Sequence, residues 1–590
     1  MLCKTYEFLN RSRRFVLSVA VFFLAMPALA RDPDSGFALL ADEYLQGYFN
    51  WRPQTAVALG LHEYDGKLEN LSEASIEAER DRLRDYLRRV RGLNLRKASE
   101  NTRLEARLLE SNIRTELFAI EERHSYSENP MTYAAFDLNV YIKRNFAPLE
   151  KRLRSIVEVE EQAPKIFAAA RANLNRSLPA PFIETAAQVA NGAADFLSAD
   201  LPRAVAGARD PDLLARFNLA NAKMVSALRD YADYVKLKSP NPEFALGRDK
   251  YAQMLAAEFV DVSPEKLLEI GLRELKKEQQ VFADAAGLID PSARPQDVFL
   301  RIQSEHPRAE TLISESAKNL EAIRSFVVAR KLVTIPSEVR AHVEETPQYA
   351  RATSFASMDT PGPFEKKATD AYYYITPTEA SWSPEEKEQW LTAFNYFTTD
   401  VVSIHEAYPG HYVQFLSLNA SPVSRLSKVI YSYAFVEGWA HYSEQMVLDE
   451  GFPFMASANL SAADRIRAAK YRLAQSDEAL LRLCRLCVSI KMHCQGMTVE
   501  EGTQFFEDHC YYQPKPARQE AMRGTFDPGY LYYAIGKLEL LKLRNDYQKQ
   551  EGADFSLQKF HDEVLRHGAP PIRLLRELML NDKAAWPEIL

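Results

Sequence analysis

Two histidines and a glutamate within one short segment have side chains that can hold and use a catalytic metal ion. The segment reads Ser403-Ile-His405-Glu406-Ala-Tyr-Pro-Gly-His411. In a common zinc-binding motif, two histidines four residues apart share one helix face, and the glutamate after the first acts as a general base. We therefore expect His405 and His411 to bind zinc (Zn2+) and Glu406 to take a proton from the attacking water.

The spacing of these two histidines departs from that motif. They are six residues apart, which on an unbroken helix leaves them roughly 120° from a shared face. Pro409 disfavours helical geometry at the residue before it, and Gly410 accepts dihedral angles that other residues avoid. The sequence thus predicts a break over Tyr408–Gly410 that turns His411 back toward His405.

A third metal ligand is expected in the segment Phe435-Val-Glu437-Gly-Trp-Ala-His441-Tyr-Ser-Glu444, whose first glutamate stands 26 residues after the second histidine. Glu437, His441 and Glu444 fall at i, i+4 and i+7, on one face of a helix. A carboxylate from such a helix would complete a three-ligand site with an open position. A polar helix face around one core histidine is the alternative, but two neighbouring histidine and glutamate clusters favour a metal.

The elements that must position these residues are mostly helices. Apolar residues recur at helical spacing between residues 83 and 90, Ser263-Pro264 reads as a cap followed by a first-turn proline, and Ser383-Pro384-Glu385-Glu386 reads as a capping box. Strand signals are few. The best is Tyr372–Tyr374, which we expect to form a strand whose edge could pair with an extended peptide.

The first thirty residues have the pattern of an export signal. Basic residues at positions 11, 13 and 14 precede an apolar run from Phe15 to Ala28, and Ala28-Leu29-Ala30 resembles a cleavage site. The alternative is a single membrane anchor, for which the run is too short. Cys3 precedes the apolar run, so a lipid-anchored cysteine at the cleavage point is not indicated. We expect residues 1–30 to be removed and the protein to be periplasmic or secreted.

The charge of the chain bears on its partners. The full chain of 590 residues has a formal net charge of -8; the first thirty residues carry four basic side chains and one acidic, so the mature form has -11. An acidic exported protein is not expected to bind nucleic acid. No second apolar stretch is long enough to span a bilayer, so no stable membrane insertion is expected after signal cleavage.

Four cysteines remain after the predicted cleavage, at positions 484, 487, 494 and 510. The pair Cys484 and Cys487 lies in an apolar helical context, which favours packing over redox or metal chemistry. Export permits disulfides, and Cys494 with Cys510 is one candidate pair.

Two segments resemble a known family. His405–His411 and Glu437–Glu444 are similar to the two signature segments of the bacterial family called domain of unknown function 885. The resemblance extends to Ala58–Asp65 near the mature N-terminus and to Pro528–Tyr530 near the end, and so covers nearly all of the mature chain. Because that family is grouped with the glutamate-liganded zinc peptidases, the resemblance implies a zinc-dependent peptidase.

A more distant similarity helps to choose the ligands. Thimet-type oligopeptidases and thermostable carboxypeptidases carry a ligand glutamate and a second glutamate at the positions that Glu437 and Glu444 match. Family members often have leucine where His441 stands, which implies that His441 supports the site rather than binding the metal. Two departures are Tyr530, where the family usually has glutamine, and Ser489, where it usually has aspartate.

The resemblance also suggests donors for the oxyanion that forms in amide hydrolysis. Gly529–Tyr533 is similar to the tyrosine-bearing helix of angiotensin-converting and thimet-type enzymes. Tyr533 is the first candidate, Tyr530 the second, and His493 a further one. A role in core packing is the alternative for each tyrosine.

We therefore expect a mainly α protein: one large helical, metallopeptidase-like unit with a deep cleft and a small β-sheet at its rim. Residues 31–345 would wall the cleft, and residues 346–590 would carry the zinc site. The expected substrates are oligopeptides, and the oligomeric state is left open. The alternatives are a zinc amidase acting on cell-wall or small-molecule amides, and a catalytically silent peptide-binding relative.

Overall fold

The computed structural model describes residues 32–590 except 135, 137, 348–350, 352–354 and 456–459. The predicted signal peptide at residues 1–30 lies outside this part of the chain. Where the structure is described, helices account for most residues and the strands form two small sheets, which confirms the predicted mainly α fold. None of the described helices is both long and apolar enough to cross a membrane.

The helices fall into two series, separated by the larger sheet. Those of the first series are α1 Pro33–Trp51, α2 Pro53–Ala58, α3 Glu73–Arg91, α4 Glu100–Glu121, α5 Ser125–Glu128, α6 Asn139–Lys143, α7 Leu149–Asn173, α8 Ala180–Ala204, α9 Pro211–Lys236, α10 Arg248–Ala257, α11 Pro264–Ile289, α12 Pro295–Gln303 and α13 Leu312–Ala329. Those of the second series are α14 Pro384–Ala393, α15 Tyr396–Glu406, α16 His411–Ala420, α17 Arg425–Val429, α18 Tyr433–Asp449, α19 Ala462–Gln495, α20 Val499–Cys510, α21 Pro514–Phe526, α22 Tyr532–Glu551, α23 Leu557–Leu565 and α24 Ile572–Met579. Short 3-10 turns occur at His62–Tyr64, Pro130–Tyr133, Pro528–Leu531, Gly552–Asp554 and Lys583–Ala585.

Two helix starts follow the capping signals of the sequence. The side chain of Ser263 accepts a hydrogen bond from the backbone N–H of Lys266, and α11 begins at Pro264. Ser383 and Glu386 form a reciprocal capping box at the start of α14. Each arrangement satisfies backbone donors that the first turn of a helix leaves unpaired. Both predicted starts are confirmed.

The strands form one parallel pair and one three-stranded sheet. Strands β1 (Ser177–Pro179) and β2 (Ser239–Asn241) pair in parallel. In the larger sheet, β5 (Tyr372–Ile375) lies between β3 (His342–Glu345), to which it is parallel, and β4 (Ala356–Asp359), to which it is antiparallel. The predicted strand is therefore confirmed. The expectation that its edge could receive a peptide is wrong, because both edges of β5 already pair with neighbouring strands.

Buried apolar side chains form two clusters among the described residues. The first runs from Phe37 to Val235 and also includes residues 426, 429 and 430, in and beside α17. The second runs from Tyr251 to Ile589. The two apolar clusters thus divide between Val235 and Tyr251; the division at residue 345 into a cleft-walling part and a zinc-binding part of one unit stays a prediction. Helices α10 to α13 share their core with the part that carries the candidate site.

The cysteines lie mainly in the second cluster. Cys484 and Cys487 are completely buried on α19, which agrees with the packing interpretation. All four described cysteines are free thiols, so the suggested bond between Cys494 and Cys510 is not formed. Cys510 instead has Cys484 as a hydrogen-bonding neighbour.

Candidate metal centre

The two histidines lie on different helices, joined by a tight turn. Helix α15 ends at Glu406 and α16 begins at His411. The backbone N–H of Gly410 donates over 3.0 Å to the carbonyl oxygen of Ile404, six residues back, whereas a regular α-helix bonds four residues back. A Cβ atom on Gly410 would overlap the carbonyl oxygen of His405. The predicted break is confirmed, and position 410 requires glycine because the backbone approaches so closely.

Helix α18 is held against this turn and against α22. The indole Nε1 of Trp439 donates to the carbonyl oxygen of Pro409 over 2.9 Å, which ties α18 to the turn between the histidines. On another face of α18, a Cβ on Gly438 would overlap the backbone of Gly536. The two glycines therefore let α18 and α22 pack backbone to backbone. These contacts fix the helix that carries the third candidate ligand.

His405, His411 and Glu437 converge on one point. Oε2 of Glu437 lies 3.6 Å from Nε2 of His405 and 3.6 Å from Nε2 of His411. One potential ligand atom from each residue lies within 4.8 Å of those from the other two. Zinc–nitrogen and zinc–oxygen bonds are each about 2.0–2.2 Å long, so donors bound to one ion stand a few ångströms apart. The sequence-predicted ligand set is thus brought together.

The donor chemistry of the cluster fits a divalent metal ion. Nδ1 of His405 is occupied by Glu444 at 2.7 Å, which leaves Nε2 facing Glu437. Two imidazoles and one carboxylate are the ligand types of many catalytic zinc sites. Nδ1 of His411 is buried and has no hydrogen-bond partner within the described ranges. We conclude that His405, His411 and Glu437 could hold zinc through these facing atoms.

Glu444 supports the cluster from the inner side. Its Oε1 contacts Nδ1 of His405, and its Oε2 contacts Nδ1 of His441 at 2.9 Å. Burial opposes its charged form, yet His441 and Arg482 hold the pKa of Glu444 well below its usual range. A carboxylate on the second nitrogen of a ligand histidine fixes the orientation of the ring. His441 lies outside the converging set, as the family resemblance implied.

The charges of the cluster are strongly coupled. Burial opposes the imidazolium form of His405, but Glu437 and Glu444 outweigh it and raise the pKa of His405 to about 10. Burial also opposes the carboxylate of Glu437, but His405 and His411 hold its pKa below the usual range. Without a metal ion, a proton is therefore shared between the imidazole of His405 and the carboxylates of Glu437 and Glu444. Metal binding would release it, since ligands bind in their deprotonated forms.

Glu406, the predicted base, lies at the end of α15 beside the converging set. It lines the same cleft and is partly exposed. Its carboxylate makes no hydrogen bond or ion pair in the part of the chain that the structure describes. Burial is the main reason that the pKa of nearby Tyr373 is raised, and the charge of Glu406 adds to it. Glu406 is thus placed to exchange a proton with a molecule in the cleft.

The cleft above the cluster encloses about 230 Å³. The candidate ligands and the predicted base line it together with charged residues of α19 and α21 and with Tyr533 of α22. The lining residues are Val401, Val402, His405, Glu406, His411, Glu437, Glu444, Glu478, Arg482, Arg485, Arg523 and Tyr533.

Of the three predicted oxyanion donors, only Tyr533 lines this cleft. Tyr530 is completely buried, its hydroxyl lies against Gly524, and that oxygen has no hydrogen-bond partner among described residues. Both ring nitrogens of His493 are taken by backbone groups: Nδ1 accepts from Leu246 N–H at 3.2 Å, and Nε2 lies 2.9 Å from the carbonyl oxygen of Gly524. Burial lowers the pKa of His493 to about 4, so it is neutral. The structure does not bring Tyr530 or His493 to the site.

Sequence reasoning missed the arginines of the cleft. Arg482 and Arg485 lie in an otherwise apolar stretch of α19, with leucine and cysteine on both sides. Charged side chains in such a stretch are rarely buried without a partner or a function, so this signal was available. Arg523 on α21 has no comparable local signal.

Fold and site together define a class: a large helical protein with a two-histidine, one-glutamate cluster at a cleft. The chain belongs to the family described as bacterial protein of unknown function (DUF885), whose profile matches residues 53–579. The family resemblance seen in the sequence is thereby confirmed. A comparison with curated proteins finds no match.

Two solved structures share the fold. A predicted lipoprotein of unknown function from Shewanella oneidensis is 26% identical, with a TM-score of 0.75, and the match covers 92% of this chain and 100% of that one. A predicted lipoprotein from Colwellia psychrerythraea is 17% identical, with a TM-score of 0.76, and the match covers 94% of this chain and 99% of that one. The second likeness shows the fold alone.

Proposed function

We propose that the chain is an exported zinc-dependent peptidase that hydrolyses peptide bonds of short peptides. One observation carries the proposal: the donor atoms of His405, His411 and Glu437 converge beside Glu406, whose carboxylate has no partner among the described residues. A metal-binding set next to an unpaired base is the arrangement that metal-assisted hydrolysis needs.

Each residue has a defined role in this proposal. His405, His411 and Glu437 would hold zinc, and three protein ligands leave one position open. When bound, zinc supplies Lewis acidity that makes water more acidic and polarises a carbonyl group. Glu406 takes the proton of the attacking water and passes it to the leaving amine. Tyr533, which lines the same cleft, would donate a hydrogen bond to the oxyanion.

Two features support export and short substrates. The first thirty residues have the pattern of a signal peptide, and the structural relative from Shewanella oneidensis is described as a predicted lipoprotein, a class of exported proteins. The cleft of about 230 Å³ is smaller than the roughly 300–1,000 Å³ of a pocket that encloses a drug-sized ligand. It therefore suits one end of a small substrate.

The proposal is tested by metal analysis combined with cleavage of a peptide pool. We expect about one zinc per chain, cleavage of short peptides, loss of cleavage with a chelator, and recovery when zinc is added back. Cell-wall fragments form a second substrate arm. Cleavage of those fragments with no cleavage of peptides would favour the amidase, and protein without zinc or activity would refute the proposal.

A further inference from the structure

Three arginines line the same cleft as the candidate metal ligands. The guanidinium carbon of Arg485 lies 5.3 Å from the ring centre of Tyr533, and those of Arg482 and Arg523 each lie 6.0 Å from it. All three side chains line the cavity that the converging histidines also line. A short molecule bound at the candidate metal ligands would therefore extend toward a group of guanidinium cations.

Two of these arginines form ion pairs through only one edge of the guanidinium group. Arg485 binds Glu520 through Nε and Nη2, with both hydrogen bonds 2.8 Å long. Arg523 binds Asp527 through the same two atoms, at 3.0 and 2.8 Å. A guanidinium group has five N–H donors. In the described part of the chain, Nη1 of Arg485 and Nη1 of Arg523 have no hydrogen-bond partner, so each arginine is oriented yet keeps free donors.

Arg482 also has unused donor capacity. Its Nη1 is paired with Glu478, and its Nη2 lies 3.6 Å from Glu444. Its Nε is buried and has no hydrogen-bond partner among the residues described. A buried donor without a partner destabilises the folded state unless a ligand or water satisfies it. The three arginines thus have one buried N–H without a partner, on Arg482, and two Nη1 groups that no described acceptor uses.

The chemistry that suits this arrangement is a planar carboxylate. Guanidinium groups bind carboxylates with paired N–H donors, and such charge-assisted hydrogen bonds are stronger than neutral ones. A peptide has carboxylates from two sources, its C-terminus and its acidic side chains. The small cavity favours the C-terminus, because a space of about 230 Å³ that the ligand cluster and the arginines share has room only for the end of a peptide chain.

We infer that Arg482, Arg485 and Arg523 bind the free C-terminal carboxylate of a peptide, so that the centre acts close to the C-terminal end. This inference rests on the proposed function for the cleavage step. It makes the proposed peptidase an exopeptidase of the carboxypeptidase kind. The ion pairs with Glu520 and Asp527 position the guanidinium groups for that task.

A binding measurement tests the inference without depending on turnover. The protein is the zinc-loaded Glu406→Gln variant, and the probe is a pool of random pentapeptides, prepared once with free carboxylates and once as C-terminal amides. Equilibrium dialysis gives the bound fraction of each pool. We expect the free acids to bind at least tenfold more tightly than the amides. A third pool, amidated but ending in glutamate, should bind like the other amides.

A paired substitution then identifies the residues. Arg523→Gln combined with Asp527→Asn removes both partners of one ion pair and leaves no unpaired charge; we expect it to bring the acid-to-amide ratio toward one. The matched control, Arg518→Gln with Glu184→Gln, removes an exposed ion pair between α21 and α8, outside the cleft. It should keep the full ratio. Zinc content and melting temperature are measured for every variant.

The outcomes separate this inference from the proposed function. The inference is overturned if the Glu406→Gln parent binds free acids and amides equally, or binds neither. This result does not depend on whether the paired variant folds. Tight binding of the glutamate-ended amides overturns the assignment to the C-terminus. If the wild-type protein cleaves no peptide but the acid preference is present, the proposed function fails and the carboxylate site stands. If the wild-type protein cleaves internal bonds of free acids and amides alike, the proposed function stands and the assignment of a carboxylate site fails.

Discussion

At the scale of single residues, His405 is held from two sides. Its Nδ1 lies 2.7 Å from Glu444, and its Nε2 lies 3.6 Å from Glu437. The first contact orients the ring, and the second places the free nitrogen in the converging set. His441 binds the same Glu444 but from within the core, where burial lowers its pKa to about 3. The two histidines that share Glu444 therefore have different surroundings: His405 faces the cleft, and His441 faces the core.

The ligand assignment predicts different zinc contents for neighbouring variants. His405→Ala, His411→Ala and Glu437→Ala should each lose most of the bound zinc, because each removes one of three protein ligands. His441→Leu should keep near-normal occupancy, because His441 lies outside the converging set. Elemental analysis after dialysis measures zinc per chain. Full occupancy in both His405→Ala and His411→Ala would refute the assignment.

Catalysis can be separated from metal binding at Glu406. Glu406→Gln keeps the shape of the side chain but removes the base, so zinc should remain while turnover falls by roughly two or more orders of magnitude. The matched control is Glu388→Gln, on the surface of α14, which should keep wild-type turnover. Initial rates on the best peptide from the pool, measured at equal zinc content, provide the comparison. Wild-type turnover from Glu406→Gln would mean that another group activates the water.

At the scale of elements, the turn between α15 and α16 is the feature on which the site depends most. Gly410→Ala would place a Cβ against the carbonyl oxygen of His405. The turn would have to open, which should lower stability by about 1–3 kcal/mol and move His411 away from the other ligands. We expect a lower melting temperature and a loss of zinc. Thermal melts and elemental analysis of the purified variant measure both.

A glycine elsewhere provides the matched control for this substitution. Gly192 lies on the exposed face of α8, and an added Cβ there would meet no atom within 4 Å. Gly192→Ala should raise stability by about 0.4–1 kcal/mol, because alanine restricts the unfolded chain and favours helix. Its zinc content should stay normal. A Gly410→Ala protein that melts and binds zinc like the wild type would show that the turn is not needed.

Local sequence signals were sufficient for many elements. The caps at Ser263 and Ser383, the strand at 372–375 and the break before His411 were all predictable, because each depends on the conformational preferences of a few adjacent residues. The common helix face of Glu437 and Glu444 follows from the helical period alone. The convergence of His405, His411 and Glu437 could be predicted for the same reason, because two short segments contain all three residues.

Features that depend on distant contacts were not predictable from these signals. The central place of β5 in its sheet depends on β3, a parallel strand that lies some thirty residues earlier in the sequence. Arg485 and Arg523 meet at the cleft from two helices, α19 and α21, whose packing no local pattern specifies. The packing that excludes Tyr530 and His493 from the cleft is equally non-local. Spacing identifies candidate residues, but tertiary contacts decide which of them face the site.

At the scale of the whole molecule, a contact at His62 connects the first core to the loop that leads into β5. Nε2 of His62 lies 2.8 Å from Glu365, and Nδ1 lies 3.0 Å from Asp65. The ring stacks on Phe146, with 3.6 Å between centroids. Glu365 also accepts hydrogen bonds from backbone N–H groups of its own loop. The segment Ala58–Asp65, part of the family resemblance, therefore has a structural role outside the cleft of the candidate metal ligands.

This contact predicts a pH-dependent stability. Burial opposes the charged form of His62, but Asp65 and Glu365 outweigh it and raise its pKa. A histidine whose pKa is raised by folding stabilises the folded state fully below its unfolded pKa of about 6.5, and this contribution is lost as pH rises through the folded pKa. His62→Gln should therefore lower the free energy of unfolding by about 1 kcal/mol at pH 6, with a smaller loss at pH 9. Thermal melts of both proteins at the two pH values measure the difference.

His342→Gln is the control, because His342 is exposed and lies 3.7 Å from Asp370, and it should change little at either pH. A deficit for His62→Gln that is equal at pH 6 and pH 9 would show that the charge of the imidazole does not stabilise this contact.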